Sequence, residues 1–346
     1  MDNLTHTLSG LVVARLSRKS GDTDPLTLKA RLIVGALATN APDLDIVLLP
    51  FSSQLYLLHH RGISHSLLML PVWALLLSWL FGKLFKHPGG WRPFYVLVAV
   101  SLLIHILLDW LTGYGTQLFA PLSDHRFALG TTFIIDPVLA GLLLIGAALP
   151  ALFQSSKLPA MIASLLAVAW ISWEAIMHYR ATEIGRDYAE SQGWQQAKVS
   201  AEARPIAPWN WTVIVKEGER YHYAHLHLRD QPVPMPAPDS NWLVKALADF
   251  RLPTQAHWTS ASQFGVGPDA QLARDVWARP ELEFFRWFAE APALYRVDHH
   301  SGRPCVWFQD LRFLTPGRDG PFLFGSCGPD WRVYRMGMNG LPTPYR

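Results

Sequence analysis

Five apolar stretches dominate the first half of this 346-residue chain: Arg31 to Pro50, Leu67 to Phe85, Phe94 to Leu111, Phe133 to Phe153 and Leu158 to Met177. Each is about 17 to 21 residues long, enough to cross or nearly cross a bilayer as a helix. In hydrocarbon every backbone N–H and C=O must find its partner inside the protein, and runs this continuous satisfy that requirement as helices. A sixth candidate, Leu4 to Leu16, is shorter and amphipathic, its apolar face interrupted by Thr5, His6, Thr7 and Ser9. It carries no basic residues ahead of the apolar core, as a cleavable signal peptide would. The expectation for residues 1–183 is an all-α transmembrane bundle of five or six helices.

Charge is distributed to match. Of the first 180 residues 21 are charged, against 36 in the remainder, and no Glu precedes Glu174. From Asp187 onward the pattern becomes one of strands and turns. Trp211 to Lys216, a turn at Glu217-Gly218-Glu219 and Tyr221 to Leu228 predict a hairpin. Tyr295 to Asp298, turning at Ser301-Gly302 into Cys305 to Phe308, predicts a second, and Pro321 to Tyr334 a third. Leu282 to Glu290 reads as a helix and Pro232 to Pro238 as a proline-rich connector. Residues 184–346 are therefore expected to form a soluble, aromatic-rich α+β or β domain. The histidines at 222, 225 and 227 fall in a strand pattern, read as plain sheet surface, and His299 and His300 in a hairpin turn. The formal net charge is only +3, and no basic run with interleaved aromatics points to nucleic acid.

Basic residues collect at alternate turns: Arg15, Arg18, Lys19, Lys29 and Arg31, then Lys83, Lys86 and Arg92, then Lys157. The positive-inside rule assigns these turns to the cytoplasm. Six segments starting from outside then bring Asp43, His65, Asp109 and Asp136 to one outer end, with the chain leaving the last helix near Arg180 beneath the soluble domain. A bacterial inner membrane with the site and the C-terminal domain on the periplasmic side is the simplest setting. There Cys305 and Cys327, the two cysteines, meet conditions in which a disulfide forms; a pair of buried thiols is the alternative.

Ionisable groups at membrane depth cost several kcal/mol unless paired or metal-bound, so those that interrupt the apolar runs point to function. His105 and Asp109 are four residues apart, which on a helix places both on one face, ready for one metal ion. Asn40-Ala41-Pro42-Asp43-Leu44-Asp45 puts two carboxylates just after a proline that bends or ends the helix. Either can ligate while the other orients a histidine. His59-His60-Arg61-Gly62-Ile63-Ser64-His65-Ser66 supplies imidazole ligands, an arginine suited to a phosphate or carboxylate oxygen, and Ser64 as a cap for the following helix. His6 follows Asp2 and Asn3, which can cap its helix. Asp136, Arg126 and Asn40 are candidates for supporting or substrate-contacting roles, turn and capping functions being equally natural. Asp45 is also the candidate proton acceptor. Neither a glycine-rich phosphate loop nor a GxSxG elbow nor a CxxC pair occurs.

In their order, Asp2-Asn3-Leu4-Thr5-His6, Pro42-Asp43-Leu44-Asp45, His60-Arg61-Gly62-Ile63-Ser64-His65-Ser66 and His105-Ile106-Leu107-Leu108-Asp109 resemble the YdjM-like membrane-bound metal-dependent hydrolases. The resemblance covers roughly the first 140 to 180 residues. That group is held to be distantly similar to the zinc phospholipase C and S1/P1 nuclease superfamily. The resemblance implies metal ligation by His6, Asp43 or Asp45, His60 or His65, His105 and Asp109, with Asp109 as a bridge between two ions. The domain after about Gly185 lies outside it.

The leading expectation is a multi-pass hydrolase that binds one to three divalent ions, zinc foremost, and directs activated water at a phosphoester or ester of a lipid-like substrate. The alternatives are a metal-binding or metal-transport membrane protein without catalysis, and an envelope stress or assembly protein in which the metal is structural. Lipid and membrane are the expected partners; oligomeric state is left open.

Overall fold

Prolines and capping residues cut the apolar runs of the first half into shorter helices than their hydropathy implies. The computed structural model describes residues 1–18, 24–151, 157–205, 207–230, 236–237, 239–300, 302–317, 320–336 and 342–345. Lys19, Asp22, Ser301 and most of the connector from Pro232 to Pro238 lie outside these. The chain divides into two units, Met1–Phe51 with Leu55–Ile176, and Met177–Arg346 with Ser52–Gln54.

In the first unit Asp2 caps helix α1 (Asn3–Ser17), its carboxylate accepting from the amides of Leu4 and Thr5 at 3.0 and 3.1 Å. Thr27 caps α2 (Leu28–Asn40) through the Ala30 amide. Pro42 then opens a 3-10 helix, Pro42–Leu48, followed by α3 (Ser53–His59) and a short 3-10 turn, Ile63–His65. Helices α4 (Leu70–Leu84), α5 (Arg92–Trp110), α6 (Pro137–Ala148) and α7 (Leu158–Ser191) complete the series.

Among the described residues only α5, at 19 residues, and α7, at 34, are long and apolar enough to cross a membrane. Ser53–His65 and α4 reach that length only as one broken segment bent by 85°. There are thus two or three candidate spans, in place of the five or six expected. The physical reasons are local. Proline 42 diverts the run from Arg31 to Pro50 out of α-helix after Asn40. The run from Phe133 starts late because Asp136 caps α6 on Val138 and Leu139, and it yields 12 helical residues. The break ahead of α4 lies between His65 and Leu70, and a further turn before it, between α3 and the 3-10 turn, holds Arg61 at φ +59°, a left-handed conformation uncommon away from glycine. Ser66, rather than Ser64, caps the chain entering α4, accepting from the amides of Leu68 and Met69 at 3.1 and 3.4 Å.

The helices pack through small residues. A Cβ on Gly10 of α1 would collide with the carbonyl of Gly35 on α2, and one on Gly35 with the carbonyl of Gly10, so the two backbones touch. Such close crossings are how helices associate where lipid offers no hydrophobic drive. One buried cluster joins Ala14, Val34, Ala38, Ala74, Phe94, Val98 and Leu102; another joins Leu8, Val12, Leu108, Leu139, Leu143 and Ala160. Leu75, Leu76, Trp79 and Leu80 on α4, Val96, Val100 and Leu103 on α5, and Leu165, Leu166 and Val168 on α7 stand exposed. Exposed apolar surface on this scale is what a lipid-facing wall requires.

The helix α7 runs on past Arg180 to Ser191, and its last part belongs to the second unit. There Gly185 fits against Val199 and Val213, where a Cβ would lie 2.5 and 2.6 Å from their methyls. Two antiparallel sheets follow. The first orders β1 (Lys198–Ala203), β2 (Asn210–Glu217), β3 (Arg220–His227) and β4 (Thr259–Ser262); the second orders β5 (Pro292–His300), β6 (Arg303–Asp310), β7 (Leu323–Cys327), β8 (Arg332–Met336) and β9 (Pro342–Pro344). Ile214, Tyr221, Ala291, Ala293 and Leu311 form a buried cluster drawn from both. Helices α8 (Trp242–Ala248), α9 (Asp269–Trp277) and α10 (Glu283–Phe288) lie between strands in sequence.

All three expected hairpins are present, and Gly218, with φ +60°, makes the first turn. His299 and His300 lie in β5, paired with Pro304 and Arg303, not in the turn itself. His225 is half-buried, bonded to Thr212 Oγ1 at 2.9 Å, and so is not plain sheet surface. Cys305 and Cys327 face each other across β6 and β7 and are joined as a disulfide.

Candidate metal centre

Four side chains from three pieces of chain meet in the first unit: Asp43 from the 3-10 helix after α2, His65 from the turn before α4, and His105 and Asp109 from α5. His65 Nε2 lies 3.4 Å from Asp43 Oδ1, 3.2 Å from Asp109 Oδ2 and 2.9 Å from His105 Nε2. His105 Nε2 lies 3.7 Å from Asp43 Oδ1 and 3.4 Å from Asp109 Oδ2. All four donor atoms fall within 4.8 Å of one another. Donors at the corners of a tetrahedron with bonds of about 2.0–2.1 Å would sit about 3.3 Å apart. The five separations quoted scatter around that value.

The tautomers agree with this reading. His105 Nδ1 donates to the Thr39 carbonyl at 2.5 Å, which leaves a lone pair on Nε2 facing the cluster. His65 Nδ1 lies 2.9 Å from Ser64 Oγ, which donates its own proton to Asp45 Oδ2 and so accepts from the ring, leaving Nε2 to face the cluster. Asp109 Oδ2, in a residue 1% exposed, has no hydrogen-bond partner. A buried carboxylate oxygen facing two imidazole lone pairs is unfavourable by itself and is resolved by a cation between them. The cluster can therefore hold a metal ion.

Around these four stand the remaining candidates. His6 stacks on His105 with ring centroids 3.8 Å apart, and its Nε2 lies 3.3 Å from Asp109 Oδ1. Neither of its ring nitrogens has a hydrogen-bond partner. Burial, and then His105 beside it, push His6 down to about 4, so the ring is neutral and able to ligate. The Met1 amine also rests against Asp109 Oδ1. Burial would raise Asp43, but the His65 hydrogen bond and the two imidazoles outweigh it and hold the carboxyl below the usual range.

The two aspartates of the Pro42-Asp43-Leu44-Asp45 segment are separated by role. Asp43 joins the four-donor cluster, whereas Asp45 takes His60 Nδ1 at 3.0 Å, Ser64 Oγ at 3.3 Å and the Arg61 amide at 3.4 Å. Asp43, Asp45 and His60 form a second group close enough to share an ion. His60 and His65 divide likewise, one to each group.

Arg61 does not present an open fork for a substrate oxygen. Only 3% exposed, it donates to Asp109 Oδ1 at 2.9 Å, the Asp109 carbonyl at 3.1 Å and Thr112 Oγ1 at 2.7 Å. It thereby fixes the carboxylate that the cluster shares. Arg126 is turned to the carbonyls of Tyr114 and Gly115, at 3.2 and 2.8 Å, and lies over the Tyr114 ring. Asp136 caps α6 and accepts from Trp170 Nε1 at 2.8 Å, so both its oxygens serve the fold. Asn40 bonds Thr7 Oγ1 and the Ala36 carbonyl, tying α2 to α1. These three do not join the cluster. The supporting groups that sequence reasoning passed over are the Thr39 carbonyl, Ser64 as partner of His65 and Asp45, and Thr112. A backbone carbonyl leaves no side-chain signature, and the hydroxyls lie within segments already assigned to turns.

The comparisons with known proteins agree with the extent of this unit. Over 140 residues the chain is 29% identical to the uncharacterized protein YfhP of Bacillus subtilis (strain 168), an alignment covering 40% of this chain and 42% of that protein. The chain thus spans less than half of the length of this curated relative. No solved structure matches. The profile described as YdjM inner membrane protein matches residues 1–181, which include every residue of the cluster. This chain belongs to the YdjM family of inner membrane proteins.

Proposed function

We propose that the protein is a membrane-embedded, metal-dependent hydrolase acting on a phosphoester or ester of a lipid-like substrate, with zinc as the fitting ion. The observation that carries this reading is the unpartnered, buried Asp109 Oδ2 facing the Nε2 atoms of His65 and His105. Two neutral imidazoles and two carboxylates in near-tetrahedral spacing are a zinc donor set. Asp43, His65, His105 and Asp109 would hold the first ion, with His6 stacked on His105 beside it, and Asp45 and His60, with Asp43, a second. A bound divalent ion would supply a Lewis acid and bring the pKa of water toward neutrality.

The chain's own residues contribute the rest. Arg61 and Thr112 hold Asp109 in place, and Thr39 and Ser64 hold the imidazoles in their ligating tautomers. Asp45 and His60 are hydrogen-bonded to each other beside the cluster, a pairing suited to accepting a proton from attacking water. The basic residues of α1, α4 and α5 lie at the opposite helix ends from His6 and from His105 and Asp109, which supports a cytoplasmic basic end and a periplasmic site. The Cys305–Cys327 disulfide supports an oxidising compartment for the C-terminal domain.

One observation favours a second reading. If all four donors bind one ion, the tetrahedron is closed, as in structural zinc sites, where catalytic sites keep a position open. The group of Asp43, Asp45 and His60 decides between them: catalysis needs an ion or a proton acceptor there. Metal analysis of the purified protein with a panel of lipid phosphoesters and esters tests the proposal. Bound metal with turnover that Asp45→Asn abolishes supports it. Bound metal with no turnover on any member of the panel transfers the case to a structural ion.

A further inference from the structure

Beside the cluster, the first unit contains an apolar groove of about 590 Å³, within the range of small-molecule pockets. Its walls are Leu44 and Leu48 of the 3-10 helix, Leu55 of α3, Trp73 and Leu77 of α4, and Leu102 of α5. Its polar lining comes from Asp45, Ser64 and His59. Asp45 and Ser64 are hydrogen-bonded to each other, and each is bonded to a histidine, Asp45 to His60 and Ser64 to His65. The groove is therefore mostly apolar, and two of its polar lining residues are hydrogen-bonded to histidines of the two candidate metal groups.

The medium outside is indicated by the same elements. Helix α5 is a candidate span and α4 part of the broken one, and the outward residues of both are exposed and apolar. The 3-10 helix is two-faced: Asp43 and Asp45 turn to the site, while Leu44, Ile46 and Val47 stand exposed, as do Leu49 and Phe51 just after it, Phe51 by 81%. An exposed aliphatic and aromatic rim around a site with a few polar lining residues fits immersion in lipid rather than contact with water.

We propose that this groove takes one acyl chain of a membrane lipid, entering sideways between the 3-10 helix and α4, so that the ester or phosphoester end stops at Asp45 and Ser64 beside the metal centre. The occupant follows from the surroundings: an apolar cleft walled by lipid-facing helices meets acyl chains at far higher concentration than any other apolar ligand. Headgroup identity is not specified by these residues. The proposal rests on the hydrolase reading only for what happens to the head of the lipid; occupancy of the groove stands apart from it.

The test uses the full chain in nanodiscs of phosphatidylethanolamine and phosphatidylglycerol, doped with a phospholipid carrying a photoactivatable group in mid-chain. Labelled peptides are mapped by mass spectrometry, and metal content is measured on the same samples. Labelling at Leu48, Trp73, Leu77 and Leu102 is expected to exceed that at the outward residues Leu75, Leu76, Trp79 and Leu80. Leu77→Trp, which fills the groove, is expected to lower groove labelling by about ten-fold, equivalent to losing roughly two buried methylenes, while outward labelling and metal content stay unchanged. Leu48→Trp, on the 3-10 helix side of the groove, serves if the first variant does not fold. Groove labelling no stronger than that of the outward face, or unchanged in a folded, metal-loaded groove variant, overturns the proposal. His105→Ala separates the two claims: loss of metal with groove labelling retained confirms the acyl site whatever becomes of hydrolysis.

Discussion

His105 donates its Nδ1 proton to the carbonyl of Thr39, and its Nε2 consequently meets His65 Nε2 at 2.9 Å with no carboxylate between them. Two ring nitrogens both available as acceptors repel at that distance. A cation, or one shared proton, is required to hold them there.

His105→Ala and Asp109→Asn are therefore expected to lower metal affinity by more than about a hundred-fold, since loss of an orienting partner alone costs 10–100-fold. Competition with a chromogenic chelator reads this directly. Asp45→Asn should leave the four-donor affinity within a few-fold and lower any hydrolysis by about a hundred-fold or more, the range for loss of a proton acceptor. A metal content that survives His105→Ala would sink the assignment of the centre.

Arg61 is expected to matter through the fold. Removing one partner of a buried ion pair costs about 3–5 kcal/mol, so Arg61→Met should lower the unfolding midpoint of the metal-free protein markedly. A bound divalent ion would compensate Asp109, and the midpoint gain on adding metal should be larger in the variant than in the wild type. Arg61→Lys should not restore stability, because an ammonium cannot reach Asp109 and Thr112 with the same fork. Thermal unfolding in detergent with and without chelator measures all three.

The second unit contains a histidine whose pKa is depressed. Burial, and then the Arg204 charge, push His225 down to about 4, and Asp249, Arg251 and His257 line the cavity it borders. An imidazole with a depressed pKa is neutral in the fold and charged in the unfolded chain below about 6.5, so the unfolded state binds more protons in that window. Stability is expected to fall as pH drops from about 6.5 to 4. His225→Gln should flatten that slope, by up to about 3 kcal/mol at the acid end. Unfolding midpoints of the full chain across this range, wild type against variant, check it.

The disulfide closes a loop with a sequence separation of 22, for which chain entropy gives about 3 kcal/mol. Cys305→Ser with Cys327→Ser should lose about that much. In cells, the native cysteines should resist alkylation unless a reductant is supplied. Ready alkylation in intact, unreduced cells would contradict a periplasmic C-terminal domain.

The candidate centre was more legible in the sequence than the membrane fold. The four-residue spacing of His105 and Asp109 fixes their shared helix face, and the structure brings their donor atoms to 3.4 Å. The pairing of Asp43 with His65, and of Asp45 with His60, was left open, because a 3-10 helix and a left-handed Arg61 set which side chain turns inward. Hydropathy overcounted the spans for a related reason. A window average cannot register that Pro42 ends α2 or that Asp136 starts α6 late, yet each shortens a helix below bilayer length. The hairpins around Gly218 and Gly302 were read correctly because the turn residue and the strand alternation are both local. Residue type points Arg61 toward a ligand and leaves Arg126 and Asp136 open between ligand contact and turn or capping roles; Asp136 caps α6, and both arginines satisfy neighbours that only the tertiary fold supplies.

The backbone contact of Gly10 with Gly35 has a consequence beyond packing. Gly10 lies one turn after His6, and Gly35 one turn before Thr39, the residue that orients His105. Nothing but the missing side chains lets α1 and α2 approach until His6 stacks on His105. A methyl group at either position would widen the centre like a wedge, with every ionisable residue still in place. The calibre of this candidate centre thus depends on two atoms that the chain does not have.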